Sequence, residues 1–215
     1  LTPATACYVQ HELGAHQAVA FDISAACSGF LYAMRLAERM ISGGTCKNAL
    51  ILGAEKLSAF VNWDDRSTCV LFGDGAGAAL LKRAREEEGQ ILAIDIGTDG
   101  GQTDLLNIPG GGSACPITQE NADQRLSTLA MVGTDVFKQA VTRMRDSANS
   151  VIERSGLRPG DIKLLIPHQA NLRIIEAITK RIEIPEDRVF VNLHKYGNTS
   201  AAACAIALDA VSYTH

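Results

Sequence analysis

Short apolar runs alternate with longer segments whose apolar residues recur every three or four positions. This alternation restricts the fold more than any other feature of the chain. Runs at 19–23, 48–53, 68–72, 77–81, 91–96, 163–166 and 189–193 read as strands, those at 48–53 as buried. Phe30, Leu31, Met34, Ala37, Met40 and Ile41 line one face of a helix beginning at Ser28. Val136, Phe137, Ala140, Val141, Met144, Ala148, Val151 and Ile152 do the same for a long helix over 134–155. Further helices are expected over 5–13, after Asn171 to about Arg181, and after Asn198 through Asp209. Gly14, Gly43 with Gly44, and Gly156 fall where helices end, the position glycine favours. Alternating strands and helices imply α/β layers. The stretch 97–129 reads as loop, centred on Pro109 to Gly112, and it divides the chain into portions 1–108 and 109–215.

Three polar residues occupy equivalent places in this pattern. Cys27, His168 and Asn198 each follow an apolar run and open a helical segment. In open α/β sheets, ligands gather at the carboxyl ends of strands, so three such junctions can face one pocket. Cys27 is the leading candidate for a nucleophile. A thiol at the first turn of a helix meets unpaired N–H groups and the positive end of the macrodipole, which predicts a more populated thiolate.

The 215 residues are 47% hydrophobic, enough for a substantial core, and carry a net charge of −4. No basic domain stands out, which argues against nucleic acid as a partner. The six cysteines form no CxxC pair and no zinc-like spacing with histidine, so reduced thiols are expected. No apolar run reaches the length of a membrane span, and no signal peptide is visible.

Four segments carry a family resemblance. Ala25-Ala-Cys27-Ser-Gly-Phe30, Pro167-His-Gln-Ala-Asn-Leu-Arg-Ile174, Tyr196-Gly-Asn-Thr-Ser-Ala-Ala202 and Phe72-Gly-Asp-Gly-Ala-Gly-Ala78 resemble the signature segments of the 3-oxoacyl-[acyl-carrier-protein] synthase III family. The resemblance implies the thiolase-like fold: duplicated βαβαβ halves in a five-layered α/β/α/β/α sandwich. It also implies a homodimer, a chain truncated at both termini, and a cytoplasmic or plastid-stromal setting. A truncated chain would leave open sheet edges that favour aggregation, and an inactive fragment is one of the readings.

The implied reaction is a decarboxylating Claisen condensation. An acyl-CoA primer acylates Cys27. Malonyl-[acyl-carrier protein] then loses CO2 at donors supplied by neutral His168 and Asn198, and the carbanion takes the acyl group. Decarboxylation generates the nucleophile, so neither a metal nor a cofactor is required. The same resemblance suggests Arg66 and Asn171 as CoA contacts and Met131 and Phe137 as acyl-pocket lining. It suggests Arg173, aided by Lys180 and Arg181, as a carrier-protein contact. Thr2 stands where many members place a bulky residue, which implies room for primers longer than acetyl.

Rival readings exist. Gly73 to Ala78 fits a relaxed dinucleotide fingerprint, but its glycines are better read as allowing close packing in a turn between strands. The Pro109 to Gly112 loop lacks the lysine of a P-loop. Cysteine, histidine and asparagine also serve papain-like hydrolases, whose local sequences differ. A polyketide synthase of the chalcone type, or another secondary-metabolite condensing enzyme, is the nearest alternative.

Overall fold

A computed structural model describes residues 2–85 and 88–212. Helix α1 (Thr5–Glu12) is followed by an irregular stretch and then α2 (Gly29–Ser42). Strands β1 (Asn48–Lys56) and β2 (Asp74–Lys82) form an antiparallel pair in which Asn48 faces Lys82 and Lys56 faces Asp74. A short pair, β3 (Leu106–Asn107) and β4 (Ala130–Met131), closes the long loop region. Helices α3 (Gly133–Ser155), α4 (Leu172–Ile182), α5 (Leu193–Tyr196) and α6 (Ala202–Ser212) complete the described chain.

One face of the β1–β2 pair is built for close approach. Gly53, Gly75 and Gly77 lie on the face that receives α6. A methyl group on Gly77 would sit 2.7 Å from the Ala205 Cβ, and one on Gly53 only 2.6 Å from the Ala201 carbonyl. Gly75 and Gly77 therefore act inside β2, not in a turn between strands as the sequence suggested. The same face joins Phe30, Ala37, Ile51 and Ala205 in a core under α2 and α6. The other face exposes Leu50, Leu52 and Leu80, so β1 is buried on one side only. Gly53→Ala is expected to destabilise the protein by on the order of 3 kcal/mol, because its neighbours are backbone atoms that cannot rotate away. A urea melt should show a lower midpoint at constant slope, and an unchanged midpoint would contradict this packing.

The second core joins α3 and α4. Ile174, Ile178 and Ile182 recur along α4 and meet Val141 of α3, with Ile184 beside them. An isolated helix as short as α4 is marginal in water, so this stripe is what holds it.

Several expected strands do not form. Residues 19–23 make no ladder, and Val19 is 81% exposed. Asp22 instead accepts hydrogen bonds from the Thr5 and Ala6 N–H groups, at 2.7 and 2.8 Å, at the start of α1. Residues 68–72 are a turn apart from a single bridge at Phe72. The Asp65 carboxylate organises it by accepting from the Ser67 and Thr68 hydroxyls, each at 2.6 Å. Residues 91–96 form no strand either, and Ile91, Leu92 and Ile96 are exposed. The runs 163–166 and 189–193 shrink to one parallel bridge between Leu165 and Val189. An apolar run becomes a strand only where a hydrogen-bonding neighbour meets it.

Candidate active site

Cys27 lies in a single 3-10 turn, Ala26–Ser28, that leads directly into α2. Ala26 has a φ of +44°, a left-handed conformation costly for a residue with a Cβ. Asn198 opens the segment that leads into α6, where Ser200 has a φ of +49°. The two segments meet where the Cβ direction of Gly29 points at the Ala201 side chain. Ser200 faces the Cys27 sulfur. The Asn198 carboxamide is buried, and its Oδ1 accepts from the Ser200 N–H at 2.9 Å. This bond fixes the amide plane beside the same serine.

The electrostatics of Cys27 run against the sequence expectation. Burial pushes its thiol up, the Ser200 side chain offsets part of that, and the Glu55 carboxylate pushes it further up. Desolvation of a sulfur anion outweighs the help of a helix start. Glu55 itself accepts from the Ala201 N–H at 3.3 Å, at the positive end of α6. Cys204, on the next turn of α6, is raised to about 11 by burial and by Cys27. Cys27 is thus a neutral thiol in a sheltered place.

His168 ends the extended run that bridges Leu165 to Val189. That parallel register places residues 168 and 192 at the same end of neighbouring strands. Burial alone lowers the His168 imidazole from 6.5 to about 4. A neutral ring carries one N–H and one lone pair. Its Nδ1 is buried without a partner among the described residues. Sequence reasoning thus anticipated the charge state of His168 and missed that of Cys27.

The other candidates are spread out. Arg66 and Thr2 are exposed. Asn171 caps α4, its Oδ1 accepting from the Arg173 N–H at 2.8 Å. Arg173 is exposed on the first turn of α4, and Lys180 is exposed at the helix end. The Arg181 guanidinium donates to the Ala177 carbonyl at 2.7 Å. Met131 belongs to β4, partly buried opposite Leu106. Phe137 packs on the α3–α4 core. Three residues that sequence reasoning did not assign support the candidates: Ser200 and Glu55 beside Cys27, and Gln169 beside His168. Ser200 and Gln169 lie inside the quoted segments, but only long-range contacts reveal what they do.

Residues 21–100 match the family 3-oxoacyl-[acyl-carrier-protein] synthase III, and residues 152–215 match that family's C-terminal portion. The chain belongs to the 3-oxoacyl-[acyl-carrier-protein] synthase III family. A synthase III from Caldanaerobacter subterraneus is 52% identical over 207 residues, which is 96% of this chain and 62% of the relative. The chain therefore spans about 62% of the length of such curated relatives. The crystal structure of 3-oxoacyl-[acyl-carrier-protein] synthase III from Aquifex aeolicus superposes with a TM-score of 0.88 at 46% identity, covering 99% of this chain and 64% of that one. The synthase III from Thermus thermophilus gives 0.89 at 39% identity, covering 100% of this chain and 65% of that one. The α/β fold is accordingly thiolase-like, and synthase III relatives are condensing acyltransferases. Among the described residues no helix is long and apolar enough to cross a membrane.

Proposed function

We propose that the full-length protein catalyses the decarboxylating condensation of an acyl-CoA primer with malonyl-[acyl-carrier protein], the step that opens fatty acid synthesis. What supports this reading is the seating of Cys27 against the Ser200 and Asn198 segment, together with a buried, neutral His168 imidazole whose neighbour Gln169 binds the run that leads to Asn198. The Cys27 thiol attacks the primer thioester, its proton leaves with CoA, and an acyl-Cys27 thioester forms. Its own backbone N–H helps hold the oxyanion of this step. Malonyl thioester then loses CO2. The electron pair of the breaking C–C bond moves into an enolate whose oxygen accepts from a ring N–H of His168 and the amide of Asn198. The enolate carbon attacks the acyl-Cys27 carbonyl, the carbon–sulfur bond breaks, and the Cys27 thiolate so released takes a proton from solvent.

This scheme draws on no metal or organic cofactor, because carbon dioxide loss creates the carbanion. The portions 1–108 and 109–215 are the two thiolase-like halves, one bringing the sulfur and the other the imidazole and carboxamide. Arg66 and Asn171 contact the CoA arm, with Asn171 also serving its helix. Met131 and Phe137 line the acyl side. The exposed Arg173 receives the acidic carrier protein, steered by the nearby Lys180 and Arg181 charges. A homodimer and a cytoplasmic setting complete the reading, and the small Thr2 leaves space for longer primers.

Supplying acyl-CoA with malonyl-carrier protein should yield a 3-oxoacyl thioester, with CO2 and CoA released in equal amounts. Hydrolysis of the acyl-CoA with no carbon–carbon bond formed would replace the condensing reading by a thioesterase.

A further inference from the structure

We infer that Gln169 is the positioning residue of His168, clamping the imidazole loop to the segment that leads to Asn198. The inference rests on the assignment of His168 proposed above and adds a residue to it. Gln169 is 1% exposed, and its side chain makes four hydrogen bonds. Nε2 donates to the Pro167 carbonyl at 2.9 Å and to the Phe190 carbonyl at 3.2 Å. Oε1 accepts from the Asn192 N–H at 2.9 Å and the Leu193 N–H at 3.2 Å. The two amide hydrogens and both lone pairs of the carboxamide are therefore in use.

The geography of these bonds gives them a purpose. Pro167 and Gln169 flank His168, so the loop carrying the ring is gripped at both neighbours. Phe190, Asn192 and Leu193 precede Gly197 and Asn198 by a few residues. Among the described residues a single parallel bridge, Leu165 to Val189, joins the two runs. Past that bridge no further backbone hydrogen bond joins the two runs among the described residues, and the Gln169 side chain supplies the bonds that link them. A buried carboxamide here costs free energy unless every polar atom is satisfied, and in this structure every one is.

A ring N–H must aim at an oxygen to within a few tenths of an ångström to stabilise developing charge. Loss of the clamp loosens that aim without removing the imidazole. Cys27 is held by a different set of contacts, those of Ser200 and α6. The inference therefore predicts a selective defect in malonyl decarboxylation, with primer transfer to Cys27 spared.

The test is a double-mutant cycle in the full chain, using Gln169→Met, which keeps the side chain's length, and His168→Ala. Malonyl decarboxylation and Cys27 acylation are measured separately for each variant. Gln169→Met is expected to slow decarboxylation by about 10- to 100-fold and to change acylation by less than about twofold. The double variant should be no slower than His168→Ala alone, because Gln169 acts through that ring. Additive losses, or equal losses in both half-reactions, would overturn the inference and leave Gln169 as a merely structural residue. If His168→Ala alone leaves decarboxylation intact, the assignment of His168 fails instead. Should Gln169→Met not fold, the same cycle run with Gln169→Glu decides, since that variant keeps the bonds to Asn192 and Leu193 and forfeits donation to the carbonyls.

Discussion

Alanine in place of Cys27 is expected to lower condensation by on the order of 10^4-fold or more, because the neighbouring thiol of Cys204 is pushed up to about 11 and is a poor substitute nucleophile. Decarboxylation of malonyl thioester should survive, since the enolate is held by groups from elsewhere in the chain. The pH dependence follows from burial. The Cys27 thiol is pushed up by desolvation, so only a minor fraction is ionised near neutral pH. Acylation by acyl-CoA should accelerate as pH rises through the alkaline range, where the thiolate becomes populated. Single-turnover rates measured between about pH 6 and about pH 9 would check this, and a flat profile would mean the thiol is already ionised.

His168→Ala and Asn198→Ala carry the second large expectation. Each removes one donor to the enolate oxygen and should slow decarboxylation by about 10^2- to 10^3-fold. Acylation of Cys27 should fall far less in both, so the ratio of the two rates identifies the role better than either rate alone. For His168 the sign of the pH effect is fixed. Burial lowers its folded value to about 4, so the ring is neutral at neutral pH and stays so until strongly acid conditions. Wild-type decarboxylation should show no imidazole titration between about pH 5 and about pH 8, because the ring stays neutral and keeps its donating N–H across that range. Stability does respond to acid. Between about 6.5 and about 4 the unfolded imidazole binds a proton that the folded one refuses, so the native state loses stability as pH falls through that window. An activity titration centred near pH 6.5 that vanished in His168→Ala would show a solvated ring.

Much of this was readable from residue order, and the exceptions have physical causes. Helices α1, α2, α3 and α4 announced themselves through periodic apolar residues and closing glycines, because a helix is specified locally. Strands β1 and β2 were visible as short apolar runs, and each found the other as its hydrogen-bonding neighbour. The runs at 19–23 and 91–96 have strand-like composition yet make no ladder, since pairing depends on a neighbour supplied from elsewhere. Residue type and setting single out Cys27, His168 and Asn198 as candidates. They do not single out the supports. Glu55 meets the Ala201 N–H across 146 positions, and Gln169 reaches the Asn192 N–H across 23. The thiol was misjudged because the helix-start rule considers one field and ignores the desolvation that opposes it.

Intact-protein mass spectrometry after exposure to acyl-CoA, followed by peptide mapping, tests the account most directly. It should reveal a single added acyl group on the peptide containing Cys27, absent from Cys27→Ala. No adduct at all, or an adduct on Cys204 or another cysteine that persists in Cys27→Ala, would contradict it.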